Sequence, residues 1–125
     1  MEITILVVDD EPSMREFLGI LLTREGYRVD QAESALTALD LLATTSYDLV
    51  LSDVKMPGLD GLTFLKDLRE LPLHKDTRVV MISSKDYAQD RTVASELGAL
   101  EFITKPTPIR AITEVVLKYL KADPV

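Results

Sequence analysis

Five short strand-like segments, three of them buried apolar runs, alternate with amphipathic stretches along this 125-residue chain, and that alternation limits its fold more than any other feature. Ile3, Ile5, Leu6, Val7 and Val8 form a β-branched run that reads as a strand buried on both faces. Met14, Phe17, Leu18, Leu21 and Leu22 then recur at helical spacing, and Glu25-Gly26 supplies a C-terminal stop. A short strand is expected near Arg28–Gln31. Ser34 is placed to cap a helix carrying Leu36, Leu39 and Leu42. Residues 48–52 (DLVLS) form the next buried run, closed by Asp53 and by the turn chemistry of Lys55-Met56-Pro57-Gly58. Leu62, Leu65, Leu68 and Leu71 stripe a third helix, and residues 78–83 (RVVMIS) form a third buried run. Residues 86–97 read as a helix with a thin apolar face, closed by Gly98. Residues 101–104 are a last short strand, followed by a helix striped by Ile109, Ile112, Val116, Tyr119 and Leu120.

Strand-then-helix units repeated five times call for an α/β fold. Parallel neighbours need right-handed crossovers, which place a doubly wound five-stranded parallel sheet between helices on both faces. No Ser/Gly-rich linker, charge block or low-complexity tract interrupts the pattern, so residues 1–125 are expected to form one domain.

Composition narrows the function classes. Twenty-one acidic against 14 basic side chains leave a formal charge of −7, and no basic tract offers phosphate contacts. Direct nucleic-acid binding is not expected of such a surface. With no cysteine, disulfides, thiolate metal sites and thiol nucleophiles are excluded. The apolar stretches fall short of the roughly 20 residues of a membrane span, so no membrane insertion is expected. The first residues lack a basic leader and a cleavage site, so a cytoplasmic location is the expectation.

In sheets of this kind ligands bind beyond the carboxyl ends of the strands. The first strand delivers Asp9 and Asp10, then Glu11. The third delivers Asp53, the fourth Ser83 and Ser84, and the fifth Lys105 before Pro106. Each has a plain alternative. Asp10 can be a helix N-cap ahead of Pro12. Asp53 can begin a turn, Ser83 can be a cap or turn residue, and Lys105-Pro106 an exposed loop. Taken together, three carboxylates on one edge repel one another strongly and call for a compensating cation or a function. Oxygen ligands without His or Cys suit Mg²⁺. The lone His74, in the connection before the fourth strand, reads as solvated.

Val7-Val8-Asp9-Asp10, Asp53 after a buried strand, Met56-Pro57-Gly58 with Asp60-Gly61, Ser83 and Lys105-Pro106 stand in an order that resembles a response-regulator receiver domain (CheY-like). The likeness covers essentially the whole chain and implies the flavodoxin-like strand order 2-1-3-4-5. It implies that Asp53 is the phosphoacceptor, taking a phosphoryl group from a phosphohistidine on a sensor histidine kinase or a phosphotransfer protein. It also implies that Mg²⁺ is held by Asp9, Asp10, Asp53 and the backbone carbonyl of Lys55, with Lys105 and Ser83 on the phosphoryl group. Ser83 and Phe102 would act as the switch that remodels the surface of helix four, strand five and helix five for a downstream protein target. The plain alternative for Phe102 is a half-buried strand aromatic. Lys55 and Lys85 would stand at the rim and tune phosphoryl lifetime, or be solvated surface lysines. A monomer or a phosphorylation-dependent dimer fits this class. Such a domain is a phosphoacceptor rather than an enzyme acting on other substrates.

Three rivals come from other classes. A dinucleotide- or flavin-binding domain needs glycines or hydroxyls after the first strand, where this chain has Asp-Asp-Glu-Pro-Ser. A haloacid dehalogenase-type phosphatase needs an acid/base Asp two residues after the nucleophile, where this chain has Lys55. A receiver-like interaction module that never takes phosphate would not need the full set of site residues.

Overall fold

The computed structural model describes residues 3–54, 61–83, 88–105 and 109–120. The expected strands become β1 (Thr4–Val8), β2 (Arg28–Ala32), β3 (Leu49–Asp53), β4 (Val79–Ser83) and β5 (Glu101–Thr104). The helices are α1 (Pro12–Arg24), α2 (Ala35–Thr44), α3 (Gly61–Glu70), α4 (Ala88–Glu96) and α5 (Ile109–Leu120), with a 3₁₀ turn at Pro72–His74. All strand pairs are parallel, in the order β2-β1-β3-β4-β5. The doubly wound α/β sheet and its strand order are as expected.

Alternate residues of the strands feed two separate apolar layers, because successive side chains point to opposite faces. Leu6, Val8, Val50, Val79 and Met81 meet Ala38 and Leu42 of α2, Phe64, Leu65 and Leu68 of α3, and Ala94 of α4. Ile5, Val7, Leu49, Leu51, Val80 and Ile82 meet Leu18 and Leu22 of α1 and Ile112, Val116 and Leu120 of α5. Each fully buried Leu or Phe contributes about 1.5–3 kcal/mol of burial free energy, so these two layers hold the helices that supply such side chains, α1, α2, α3 and α5. Only Ala94 of α4 is buried, which bears out the thin apolar face expected there.

Two expectations about packing need correction. Leu36 is 68% exposed, and the inner face of α2 is Ala35, Ala38 and Leu42. Steps of three residues fall about 60° short of a turn, so a stripe through Leu36, Leu39 and Leu42 drifts around the helix and only its end is buried. Ser34 does cap this helix, its Oγ accepting from the Thr37 N–H at 3.1 Å.

His74 is fully buried rather than solvated. The 3₁₀ turn carries it under the end of α2, where Nε2 lies 2.7 Å from the Leu42 carbonyl oxygen and Nδ1 2.8 Å from Thr77 Oγ1. A carbonyl only accepts, so Nε2 carries a proton and satisfies one of the orphan carbonyls at that helix end. Nearby, the Arg69 guanidinium donates to the carbonyls of His74, Thr77, Leu97 and Gly98. It thereby joins the end of α4 to the connection between α3 and β4. Burial lowers the pKa of Arg69, opposed by the charge of Asp76.

Candidate functional site

Parallel register brings the carboxyl ends of four strands to one edge. Val8 pairs with Ser52, Asp53 with Ile82 and Ser83 with Thr104, so the residues that follow or close these strands stand side by side. Asp9 leaves β1 and Lys105 leaves β5, while Asp53 and Ser83 are the last residues of β3 and β4. Of the expected strand-end residues, Asp9, Asp53, Ser83 and Lys105 therefore stand together at this edge.

Asp9 is fixed at every polar atom. Its N–H donates to the Ala32 carbonyl at 3.1 Å and its carbonyl accepts from Arg15 Nη1 at 2.8 Å. Its Oδ1 accepts from the Glu11 N–H at 2.9 Å, and its Oδ2 from Lys105 Nζ at 3.0 Å. Asp53 is 7% exposed, and Lys105 Nζ lies 3.6 Å from its Oδ2. Asp10 is exposed. The N-cap of α1 is Glu11, with Pro12 in the first helical turn as expected, so Asp10 does not cap this helix.

One carboxylate oxygen from each of Asp9, Asp10 and Asp53 lies within 4.8 Å of the others. For the buried pair Asp9 and Asp53, an effective dielectric near 20 makes the repulsion about 3 kcal/mol or more. Lys105 offsets part of it. Burial would lower the pKa of its ammonium, but the Asp9 hydrogen bond and the charges of Asp53, Asp9 and Glu11 outweigh burial and raise it. Three carboxylates against one ammonium leave an oxygen-lined pocket of net negative charge, and that donor set fits a hard divalent cation.

Gly61 explains how Asp53 is seated. Its N–H donates to the Val54 carbonyl at 2.7 Å, and a Cβ built on it would overlap the Asp53 carbonyl oxygen and approach Val54 Cα to 2.7 Å. The start of α3 thus rests directly on the backbone of Asp53. Ser83 is fully buried, and its carbonyl accepts from the Lys105 N–H. Phe102 is half-buried against the α2–α4 layer, under the guanidinium of Arg91. Lys55, Met56-Pro57-Gly58, Asp60, Ser84, Lys85 and Pro106 lie outside the described residues.

Sequence reasoning missed Arg15 and Arg91. Arg15 stands one helical turn beyond Glu11, where an arginine has no signal beyond surface polarity. Arg91 lies on a helix whose outer face is polar throughout.

The chain matches the response regulator receiver domain over residues 5–117. It belongs to that family. The receiver is 37% identical over 116 residues to sporulation initiation phosphotransferase F of Bacillus subtilis, covering 93% of this chain and 92% of that protein. It is 38% identical over 117 residues to the transcriptional regulatory protein ResD of the same organism, covering 94% of this chain and 46% of that one. The receiver therefore spans nearly all of one relative and about half of the other. Among solved structures, Vibrio cholerae chemotaxis protein CheY4 has a TM-score of 0.91 at 26% identity, over 96% of this chain and 100% of that one. The response regulator TrrA of Thermotoga maritima, in complex with Mg²⁺ and BeF, has a TM-score of 0.82 at 37% identity, over 96% of this chain and 100% of that one. The chain is a phospho-accepting receiver domain of two-component signalling, and its acidic pocket fits a phosphoacceptor site with a divalent metal. Among the described residues no helix is long and apolar enough to cross a membrane.

Proposed function

We propose that Asp53 is the phosphoacceptor of this receiver and that residues 1–125 act as one receiver domain in the cytoplasm. The observation that carries the assignment is the convergence of Asp9, Asp10 and Asp53 oxygens within 4.8 Å, with Lys105 spanning two of them. Of the three carboxylates, Asp53 is the one that closes the central strand and is held from behind by Gly61, so its reach toward an incoming phosphorus is fixed by backbone. Asp9 has every polar atom engaged, which suits an anchor better than a nucleophile.

A carboxylate oxygen of Asp53 attacks the phosphorus of a phosphohistidine on a sensor histidine kinase or phosphotransfer protein. The phosphorus–nitrogen bond breaks, its electron pair stays on the imidazole, and an acyl phosphate forms on Asp53. Phosphoryl transfer of this kind depends on positioning and charge neutralisation. Lys105 supplies one fixed positive charge beside Asp53, and the Ser83 hydroxyl is the hydrogen-bond donor expected to turn toward the phosphoryl oxygens. Asp9, Asp10, Asp53 and the Lys55 carbonyl would hold Mg²⁺, with Lys55 and Lys85 at the rim. When bound, Mg²⁺ supplies the remaining neutralising charge on the transferring group.

Movement of Ser83 opens space into which Phe102 turns, remodelling α4, β5 and α5 for a downstream protein, with a monomer or a phosphorylation-dependent dimer as the output form. Borohydride reduction of the phosphorylated protein tests the site. Homoserine at position 53 in the digested peptide is expected, and reduction at another acid would overturn the assignment.

A further inference from the structure

Arg91 reaches across from α4 to β5. Its guanidinium carbon lies 4.9 Å from the centroid of the Phe102 ring, and its Nη2 donates to Thr104 Oγ1 at 3.2 Å. Phe102 and Thr104 are two residues apart on a strand, so both side chains leave the same face. Their register partners on β4 are Met81 and Ser83, which share that face. Arg91 thus touches the aromatic ring on one side and, on the other, the residue paired with Ser83 and preceding Lys105.

These contacts matter because, among the described residues, α4 buries little of its own surface. Ala94 is its one buried residue, and its far end is tied by Arg69 to Leu97 and Gly98. An open surface pocket of about 240 Å³ is lined by Arg91, Ala94 and Ser95 of α4 and by Leu100 and Phe102, so the two elements are not closely packed there. A helix with few buried contacts is drawn from the low-stability end of a structure.

We infer that Arg91 is a positioning residue that latches α4 to β5 in the resting receiver. Its guanidinium holds the Phe102 ring in the outer, half-exposed position and keeps Thr104 beside it. The inference rests on Phe102 being the switch residue. A ring that turns inward toward Ser83 leaves the guanidinium, so the contact exists in one state and not in the other. Only such a difference can bias a two-state equilibrium. An exposed cation–π contact corresponds to a bias of about two- to fivefold toward the resting state.

Ring-¹³C phenylalanine NMR tests this on the full chain, which has three phenylalanines; Phe102→Leu assigns the relevant signal. Beryllofluoride with Mg²⁺ serves as the phosphoryl mimic, and its affinity is measured by calorimetry. In the wild type the Phe102 signal moves when the mimic binds. In Arg91→Met the free protein's signal moves part of the way to that position, and affinity for the mimic rises about two- to fivefold. Arg91→Lys keeps the charge and part of the ring contact, and falls between the two. In a Phe102→Leu background, Arg91→Met no longer changes affinity, since the coupling needs the ring.

Two results would overturn the latch, and they are distinguishable. A Phe102 signal that moves with the mimic in the wild type but is unaffected by Arg91→Met, with unchanged affinity, removes the latch and leaves the switch standing. A Phe102 signal that never moves with the mimic removes the switch itself and the latch with it. An affinity rise that persists undiminished without the ring would show that Arg91 acts through its charge or through Thr104 and not through Phe102, also against the latch.

Discussion

Lys105 Nζ donates to Asp9 Oδ2 at 3.0 Å across 96 residues of chain, and this bond joins the first strand's end to the last. Its ammonium is stabilised in the folded state, where hydrogen bonding and negative charge outweigh burial and raise its pKa. Stability from a raised pKa is fully present below the unfolded lysine value near 10.4 and is lost as pH climbs through the higher folded value. The stability difference between wild type and Lys105→Met should therefore stay constant from neutral pH to about pH 10 and shrink above it. Urea unfolding across that range checks this, and a difference that already shrinks below pH 9 contradicts it.

Tyr47 should ionise apart from the other tyrosines. It is 6% exposed, and its hydroxyl donates to Asp30 Oδ2 at 2.7 Å. Burial first, then that hydrogen bond and the Asp30 charge, push its pKa well above the ordinary tyrosine range. Alkaline absorbance titration of this four-tyrosine chain should show a late step that Tyr47→Phe removes. The same substitution should cost about 1–2 kcal/mol at neutral pH by leaving Asp30 without its donor. An unchanged titration curve would refute the burial argument.

Gly61→Ala should damage the site and the fold together. The new methyl group meets the carbonyl of Asp53, which is backbone and cannot turn aside. We expect a loss of about 1–3 kcal/mol from overpacking, with slower phosphorylation from acetyl phosphate because Asp53 must shift. A variant with wild-type urea midpoint and wild-type phosphorylation rate would show that the backbone there yields freely.

His74→Leu should separate stability from function. It leaves the Leu42 carbonyl and the Thr77 hydroxyl without their partner, at a cost of about 1–3 kcal/mol. His74 sits beyond the end of α2 in the connection leading into β4, whereas the acidic pocket lies where β1 and β3 end. Urea unfolding should register the substitution while phosphorylation of the folded protein stays unchanged. A matching loss of phosphorylation rate would place His74 in the working site.

The fold and the strand-end residues were legible because each rests on local signals. β-branched runs, helical spacing and Gly or Pro stops define the elements, and parallel topology then gathers Asp9, Asp53, Ser83 and Lys105 at one edge. His74 was misjudged because its burial depends on a carbonyl 32 residues earlier, which no local pattern announces. Leu36 was misjudged because a three-residue spacing imitates a stripe while rotating off the inner face. Arg15 and Arg91 were invisible for a related reason. Each acts through a long side chain on an otherwise polar helix surface, and its target is fixed only when strand and helix pack together.

Intact mass of the protein after incubation with acetyl phosphate tests the central claim most directly, with and without Mg²⁺ and beside Asp53→Asn. The account predicts a single phosphoryl adduct that requires the metal, disappears under EDTA and is missing from the variant. A stoichiometric adduct on Asp53→Asn, or no adduct on the wild type under any metal condition, would contradict it.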